Sequence, residues 1–450
     1  MKSATTANTT SAYASERRLW RVSRTVAIAT ILLVTLATRM YAEGKATVLH
    51  TFTGGTDGSY PYASLTADAA GNLYGTTQTG GTFGLGTAFK LSPDSNGHWQ
   101  FTVLHEFTGG ADGGYPLGSF VFDAAGNAFL TASSGGANGF GLVLELSPPA
   151  NPTPGTLWRE KELYSFQGGS DGAIPFGNVV FDAAGNLYGT TSIGGHSHIN
   201  CLAGCGTIYR LSRTNSGGVH ERVLHRFLDA FSEGAEPRTG LVIDAAGNLY
   251  GTTYYGGNPS CASNGCGTVF ELTLDSGPHL DTLLVFNGTN GAFPRAGITL
   301  DGNGTLFSAA TSGGALNKGT VFSMTNTSGS WKLGNVYSFD GLNGLEPSGT
   351  LALDSEGNLY GTAYEGGAND WGAVFQLIPN ADGWTENLLY SFAVSGQGLG
   401  ANPLDGVILD AAGNLYLTTN QGGDLNYCQP NSGCGTVLEF SSGAAPSKVR

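Results

Sequence analysis

The sequence predicts an all-β fold, a seven-bladed β-propeller with four strands in each blade. Three observations support this prediction. Glycine makes up 72 of the 450 residues, which disfavours long helices because each interior glycine costs about 1 kcal/mol relative to alanine. A turn motif recurs seven times along the chain. A strand pattern that closes six of the repeats is found, for the seventh, at the start of the chain.

The recurring motif is Asp-x-x-Gly-Asn or a close variant, and successive copies lie 53 to 62 residues apart. The copies begin at Asp68, Asp123, Asp182, Asp244, Asp301, Asp354 and Asp410. A proline precedes each Asp by seven residues, and an aromatic residue and a Gly-Gly pair follow it. An Asp side chain accepts hydrogen bonds from turn amides, and glycine adopts positive φ without strain. We therefore expect each motif to close a β-hairpin.

Each repeat contains four strand candidates, named A to D in chain order. In the first repeat, strand A follows the proline at 63–67, strand B spans 72–77 and strand C follows Gly-Gly at 86–91. Strand D ends in a phenylalanine at 102–107, and the segment 47–52 closely matches it. We expect this N-terminal segment to complete the seventh blade, since ring closure leaves few strand edges exposed. The alternative, an open solenoid, needs polar caps at both ends, and neither end shows one.

The first 42 residues predict an export signal. Four arginines between 17 and 24 precede an apolar run at 26–37, which is short for a membrane span. The alternative is an uncleaved N-terminal anchor. We expect residues 1–42 to be a signal peptide, residues 43–450 to form the propeller, and the protein to be secreted, periplasmic or on the cell surface.

The charge balance excludes one class of partner. The formal net charge is −14, although the first 42 residues carry six basic residues and one acid, so the remainder is more acidic still. Such a surface repels phosphate backbones. We expect no nucleic-acid partner, no membrane contact beyond the export signal, and a monomer.

The repeat unit F-x-G-G-x-D-G-x-x-P … D-A-A-G-N-L-Y-G-T-T-x-x-G-G … G-T-V-F-x-L resembles the Gloeo/Verruco (GloVer) tandem repeat of bacterial choice-of-anchor proteins. The resemblance covers about nine tenths of the chain. It implies export and a repeat architecture, and it implies no particular reaction or ligand. The C-terminal tail 443–450 shows no anchor, which departs from the family pattern.

The six cysteines form three close pairs, each inside a B–C loop. They are Cys201/Cys205, Cys261/Cys266 and Cys428/Cys434. From the second glycine of Gly-Gly to the glycine that opens strand C, four loops advance by five residues, whereas the cysteine-containing loops advance by 11, 10 and 12. We expect each long loop to be closed by its own disulfide, since export permits oxidation. A zinc site with His196 and His198 is the alternative.

The B–C and D–A loops are expected at the same end of the blades. The D–A loops carry an oxygen acceptor at nearly every copy: Asp57, Asp112, Asp171, Glu233, Asn290 and Asn343. One interpretation is a turn capped by its own side chain. The other is a ring of acceptors that binds calcium or sugar hydroxyls.

Further candidates for ligand contact lie near these loops. The aromatic candidates are Tyr60, Tyr115, Tyr254, Tyr255 and Trp371. Arg238 and Arg295 each directly follow a repeat proline, and we expect them at the channel mouth, paired with Glu236 and Glu346.

No catalytic motif is found: the sequence contains no Gly-x-Ser-x-Gly elbow, no His-Glu-x-x-His and no P-loop. We therefore expect an exported, non-enzymatic binding or scaffold module that recognises a glycan or protein through one loop face. No cofactor is expected, and calcium is the candidate cation. The alternative is a hydrolase or lyase with a metal- or carboxylate-based site at the mouth of the central channel.

Overall fold

The computed structural model describes residues 46–441, except 152, 154, 198–200, 229–230, 394–398 and 429–431. The predicted signal peptide and His198 lie outside the described residues. The described residues contain no α-helix. Their strands form seven separate antiparallel sheets, arranged as the blades of a propeller. The predicted fold class, a seven-bladed β-propeller, is confirmed.

The first four blades follow one another along the chain. The chain opens with β1 (Ala46–Thr51). Blade 1 contains β2 (Ser59–Pro61), β3 (Thr66–Ala67), β4 (Leu73–Thr79), β5 (Thr87–Pro93) and β6 (Trp99–Glu106). Blade 2 contains β7 (Gly114–Pro116), β8 (Val121–Phe122), β9 (Ala128–Ser134), β10 (Leu142–Ser147) and β11 (Arg159–Ser165). Blade 3 contains β12 (Ala173–Pro175), β13 (Val180–Phe181), β14 (Leu187–Ile193), β15 (Thr207–Arg213) and β16 (Val219–Arg226). Blade 4 contains β17 (Val242–Ile243), β18 (Leu249–Thr253), β19 (Thr268–Thr273) and β20 (His279–Val285).

The remaining blades repeat the pattern. Blade 5 contains β21 (Ala292–Pro294), β22 (Thr299–Leu300), β23 (Leu306–Ser312), β24 (Thr320–Thr327) and β25 (Ser330–Ser338). Blade 6 contains β26 (Leu345–Pro347), β27 (Ala352–Leu353), β28 (Leu359–Glu365), β29 (Ala373–Asn380) and β30 (Gly383–Ser391). Blade 7 contains β31 (Ile408–Leu409), β32 (Leu415–Thr419) and β33 (Thr436–Phe440).

The ring closes through the displaced strand. Strand β1 pairs antiparallel with β33, with Ala46 opposite Phe440 and Thr51 opposite Thr436. The order in this sheet is β1-β33-β32-β31, so the first strand of the chain is the outer strand of the last blade. The sequence prediction of this closure is confirmed.

The sequence predicts strand A as one continuous segment after the proline, and the structure corrects this. In blade 1 it consists of two short pieces, β2 and β3, which both pair with β4. The first piece ends at Pro61, and Tyr60 before it has a φ of 55°. A proline has no N–H to donate to a ladder, and a positive φ turns the chain out of the extended conformation, so the strand breaks there.

The residue before the proline has a positive φ in all seven blades, between 52° and 57°. These residues are Tyr60, Tyr115, Ile174, Glu236, Phe293, Glu346 and Asn402. Each one donates its N–H to a carbonyl of the preceding blade, as Tyr115 does to the Leu85 oxygen over 2.8 Å. The proline that follows packs against the glycine that opens strand C of that blade. A Cβ on Gly86 would overlap the Thr77 carbonyl oxygen of its own blade and lie 2.8 Å from Pro116 Cδ, and its φ is 100°, so this position requires glycine.

The Asp-x-x-Gly-Asn motif closes the A–B hairpin, as the sequence predicts. Asp68 accepts hydrogen bonds from the backbone N–H groups of Ala70 and Asn72, from the Asn72 side chain and from the Tyr74 hydroxyl. Burial favours the protonated acid, but these hydrogen bonds outweigh it and hold the pKa of Asp68 below its ordinary value.

The hydrophobic core lies between neighbouring blades. In one cluster, Tyr74 and Ala88 of blade 1 pack with Leu130 and Leu144 of blade 2, and Phe107 after strand D is fully buried among them. The corresponding phenylalanines of the other blades are also fully buried: Phe52, Phe166, Phe227, Phe286, Phe339 and Phe392.

Candidate functional site

The B–C and D–A loops lie at the same end of the blades and are hydrogen-bonded to each other. Gly81 in the first B–C loop donates its N–H to the Gly55 oxygen in the D–A loop over 2.8 Å, and Gly136 donates to the Gly110 oxygen over 2.9 Å. We call this end, formed by the B–C and D–A loops of all blades, the loop face.

Each long B–C loop is closed by its own disulfide, as predicted. The Cα atoms are 5.3 Å apart in Cys201–Cys205, 5.9 Å apart in Cys261–Cys266 and 5.4 Å apart in Cys428–Cys434. All six thiols are consumed, so none is left as a zinc ligand. Three disulfides are typical of proteins of the extracellular space or periplasm.

The disulfides also fill a packing position between blades. The second cysteine of each pair is buried directly before the glycine of strand C, where blades 1 and 2 carry Leu85 and Phe140. The sulfurs reach the D–A loop of the next blade, because a Cβ on Gly54 would lie 2.8 Å from Cys428 Sγ. A disulfide therefore replaces a large apolar side chain at this junction.

The acceptors of the first two D–A loops hold their loop to the preceding outer strand. Asp57 Oδ2 lies 3.2 Å from His50 Nε2 and accepts the Thr53 N–H over 2.9 Å. Asp112 Oδ2 likewise lies 3.2 Å from His105 Nε2. Burial favours the protonated form of Asp57, but hydrogen bonds from His50 and Thr53 outweigh it and lower its pKa. Burial lowers the pKa of His105, although Asp112 opposes the effect.

Of the later D–A loop residues, two bind the preceding outer strand as Asp57 does and two do not. Asp171 accepts a hydrogen bond from the Tyr164 hydroxyl over 2.9 Å, and Glu233 Oε2 lies 3.0 Å from His225 Nε2. Asn290 accepts the Asn287 N–H over 2.8 Å. Asn343 was predicted as an acceptor, but its side-chain N–H instead donates to Glu386 Oε2 on β30 over 2.7 Å, because a carboxylate of the following blade lies within its reach. Among the described residues, no group of three or more His, Cys, Asp or Glu side chains is placed to share a metal ion, and calcium binding stays a prediction.

A pocket of about 550 Å³, counting the part open to solvent, lies at the centre of the ring. The residue after each of the seven repeat prolines lines it. We call these residues the mouth ring: Tyr62, Leu117, Phe176, Arg238, Arg295, Ser348 and Leu404. Small polar residues form the wall further in: Ser64, Ser119, Asn178 and Thr350. The repeat thus brings one equivalent position from every blade to one cavity and fills it with different side chains.

Arg238 lines this pocket, and residues of the loop face hold its side chain in place. Its Nη2 lies 2.6 Å from Glu236 Oε2, so the expected ion pair is present. The guanidinium lies 4.3 Å from the ring centre of Tyr254 and 5.6 Å from that of Tyr255, both in the B–C loop of blade 4. These contacts fix the arginine by charge pairing and by cation–π attraction.

Arg295 reaches across the pocket instead of forming the expected pair with Glu346. Its Nη2 donates to the Tyr62 hydroxyl over 2.9 Å, which joins blade 5 to blade 1. The Tyr62 ring in turn lies 5.7 Å from the Phe176 ring of blade 3. Within the described residues, Arg295 has no carboxylate partner at ion-pair distance, whereas Arg213 and Arg238 each have one.

Two titrating groups beside the arginines have shifted pKa values. Burial and the charge of Glu365 raise the pKa of Glu346, while Arg295 and Lys318 reduce that rise. Burial likewise raises the pKa of Tyr254, against the effect of Arg295. Desolvation thus dominates at this end of the channel.

The loop face also concentrates exposed apolar side chains. Of the 14 large hydrophobic residues exposed in the described part of the chain, nine lie on it: Phe83, Tyr115, Phe140, Leu202, Leu228, Leu316, Leu342, Trp371 and Tyr427. Six of the seven B–C loops contribute one. The predicted aromatic candidate Tyr60 is half-buried, and it is one of the residues with a positive φ before a repeat proline.

Sequence reasoning included Tyr115 and Trp371 and missed the other seven. It also missed Tyr62 and Phe176 of the mouth ring. Alignment of the repeats on their prolines would have revealed that ring, because all its members directly follow a proline.

In the described residues no helix is long and apolar enough to cross a membrane.

No curated protein matches the chain in sequence. Similar solved structures include a protein from Thermus thermophilus assigned as an oxidoreductase (glucose dehydrogenase), at 15% identity and a TM-score of 0.40, over 88% of this chain and 99% of that one. Another, from Bacteroides uniformis ATCC 8492, is assigned as a 6-phosphogluconolactonase, at 14% identity and a TM-score of 0.48, over 79% of this chain and 88% of that one.

A third similar structure is the extracellular domain of a protein from B. thetaiotaomicron assigned as a hybrid two-component system. It is 10% identical with a TM-score of 0.49, and the match covers 87% of this chain but 39% of that one. The family model of the Gloeobacter/Verrucomicrobia repeat matches residues 34–200 and 259–447. The chain belongs to the Gloeobacter/Verrucomicrobia repeat family.

Proposed function

We propose that this protein is a non-enzymatic binding module that works outside the cytoplasm and holds a glycan or protein ligand on its loop face. One observation carries the proposal: nine exposed large apolar side chains lie in the B–C and D–A loops, at the end of the blades where the mouth ring lines a pocket. Single exposed apolar side chains are common on protein surfaces, but their concentration at one end of a molecule is typical of an interaction site. A face that combines such a rim with a central cavity is suited to binding.

The chemistry of the D–A loops supports binding over catalysis. A catalytic acid or base needs a carboxylate directed at a substrate. Asp57 and Asp112 are instead directed at His50 and His105 of the outer strands, and Asp171 is directed at Tyr164. These carboxylates stabilise loops.

The alternative is a hydrolase or lyase at the channel mouth, and one observation favours it. Glu346 lies near Arg295 and Lys318, and burial raises its pKa, which is a property of general acids. Under this alternative, Glu346→Gln abolishes turnover of a polysaccharide. Under the proposed function, there is no turnover to abolish.

The test is a glycan and peptide array probed with the protein, with and without calcium. The loop-face variant Leu202→Ser/Leu342→Ser removes two of the exposed rim residues. The matched control, Leu157→Ser/Leu333→Ser, removes two exposed leucines elsewhere on the surface. We expect binding to be lost in the loop-face variant and kept in the control. Equal binding by both variants, or release of cleaved product from the array, contradicts the proposal.

A further inference from the structure

We propose that the mouth ring binds the carboxylate of an acidic sugar, such as a uronic acid residue of a glycan. This inference rests on the proposed function and specifies the ligand class for the same face. It is carried by the arrangement of charge and aromatic surface around the pocket.

The mouth ring is divided into two arcs. Four consecutive blades, from blade 7 through blade 3, contribute Leu404, Tyr62, Leu117 and Phe176. The next three blades contribute Arg238, Arg295 and Ser348. One side of the pocket is therefore apolar and aromatic, and the opposite side carries two guanidinium groups. A ligand that fills it needs an anionic group on one side and a flat or apolar ring face on the other.

Arg295 supplies the anion-binding group. Among the described residues, its side chain has one hydrogen-bond acceptor, the Tyr62 hydroxyl, so most of its five N–H donors are available. The Arg295 side chain is half-buried in the pocket wall, so a ligand that enters the pocket can reach its unused donors. Its planar donor fork matches a carboxylate in a bidentate arrangement. The guanidinium stays protonated at every physiological pH, so it offers a permanent positive charge to a carboxylate.

The other charged groups near the pocket do not replace this ligand. Glu236 is paired with Arg238. Asp405 lines the cavity, but it accepts hydrogen bonds from the N–H and hydroxyl of Ser64 at 2.8 Å each and from the Gly406 N–H at 2.7 Å. Glu346 lies near Arg295, but in the described residues the two form no ion pair. Arg295 is therefore the cation that an incoming carboxylate meets.

The rest of the pocket fits a sugar ring better than a peptide end. Tyr62 and Phe176 offer aromatic surface on which a pyranose ring can stack. The wall below them offers the hydroxyls of Ser119 and Thr350 and the amide of Asn178 to ring hydroxyls. An acidic peptide has a carboxylate but lacks the hydroxylated ring that this wall would bind.

The experiment is isothermal titration calorimetry with trigalacturonic acid as the probe. The comparison ligands are its fully methyl-esterified form, sodium benzoate, inorganic sulfate and an acidic tripeptide. The variants are Arg295→Gln and Arg295→Lys. The control is Arg222→Gln, which removes the same charge from an exposed position on β16. Thermal unfolding of each variant checks that it is folded.

We expect trigalacturonate to bind, and the ester to bind at least about 10-fold more weakly, because a charge-assisted hydrogen bond is lost. Arg295→Gln should weaken trigalacturonate to the level of the ester, Arg295→Lys should recover part of the loss, and Arg222→Gln should leave it unchanged. Tighter binding of benzoate, sulfate or the tripeptide than of trigalacturonate overturns the acidic-sugar assignment. Equal affinity for acid and ester, or no effect of Arg295→Gln, overturns the role of the mouth ring.

These outcomes are separable from failure of the proposed function. If the array shows a ligand lost in Leu202→Ser/Leu342→Ser but trigalacturonate does not bind, the loop face stands as a binding surface and the acidic-sugar inference fails. If neither the array nor the titration shows binding, both fail.

Discussion

Tyr60 donates its backbone N–H to the carbonyl oxygen of Cys434 over 2.9 Å, and this hydrogen bond joins the first blade to the last. The next residue, Pro61, packs against Gly435, where an added Cβ would lie 2.8 Å from Pro61 Cδ. The same two contacts recur at all seven blade junctions. They explain why a proline and a strand C glycine stand at fixed positions in every repeat.

The junction contact predicts unequal effects of two glycine substitutions. Gly435 has a φ of 94° and a crowded Cβ position, whereas Gly71 has a φ of 79° and no neighbour within 4 Å. Both alanine variants lose about 1 kcal/mol of unfolding free energy, because a residue with a Cβ adopts positive φ less readily than glycine. We expect Gly435→Ala to lose about 2 kcal/mol more, because the added Cβ overlaps the Thr419 carbonyl oxygen of the same blade and crowds Pro61 of the next. Denaturant unfolding measures the difference, and equal losses would contradict the close packing at Gly435.

The packing role of the disulfides predicts a rescue by leucine. Cys201→Ser/Cys205→Ser removes the cross-link and leaves a polar side chain in a buried position. The matched variant Cys201→Ser/Cys205→Leu restores the apolar contact that Leu85 makes in blade 1. The serine variant should have a lower melting temperature than the native protein, and we expect the leucine variant to recover about half of that decrease. If the two variants melt together, the cross-link alone accounts for the loss.

Glu221 predicts a stability change with pH. Its Oε1 is buried without a partner in the described residues, and burial, with the charge of Asp171, raises its pKa to about 7 against the effect of Arg226. Between pH 4.5 and about 7 the folded chain holds a proton that the unfolded chain releases, so this stability is lost as the pH rises through that window.

Replacing the acid therefore matters above that window. Glu221→Gln should raise stability at pH 8 by about 1 kcal/mol, after discounting for solvent screening, and should have little effect at pH 4.5. Glu162→Gln, on the exposed outer strand of blade 2, is the control. Melting curves at the two pH values give the comparison, and a gain that does not depend on pH would contradict the raised pKa.

The turn motif predicts a graded cost of Asp→Ala. Asp182 accepts hydrogen bonds from two backbone N–H groups, the Asn186 side chain and the Tyr188 hydroxyl. Asp301 accepts from two backbone N–H groups, since Thr305 and Phe307 stand where blade 3 has Asn186 and Tyr188. Asp182→Ala should cost at least about 1 kcal/mol more than Asp301→Ala in denaturant unfolding. An equal cost would show that the side-chain donors contribute nothing.

The sequence predicted features that repeat or pair locally. The blade count came from the spacing of motifs such as Asp68, the ring closure from the segment 47–52, and the disulfides from loop length. The break in strand A was missed because the residue before a proline usually prefers an extended conformation. At Tyr60 and Ile174, contacts with the neighbouring blade override that preference.

The candidate site was only partly predictable. The charge of Arg238 and Arg295 and the length of the cysteine-containing loops made these features recognisable in the sequence. Tyr62 was not recognisable, because its partner Arg295 lies 233 residues away in the chain. The exposed rim was hidden for a different reason: single apolar residues such as Leu202 in glycine-rich loops carry no periodic signal, and their shared face is a property of the closed ring.

Hydrogen–deuterium exchange of the protein, alone and with the ligand that binds most tightly on the array, tests whether the loop face holds the ligand. We expect added protection in the B–C and D–A loops and in the segments that carry Tyr62 and Arg295, with no change in the A–B turns at the opposite end. Protection of the A–B turns around Asp68 and its equivalents, with the loop face unchanged, would contradict it.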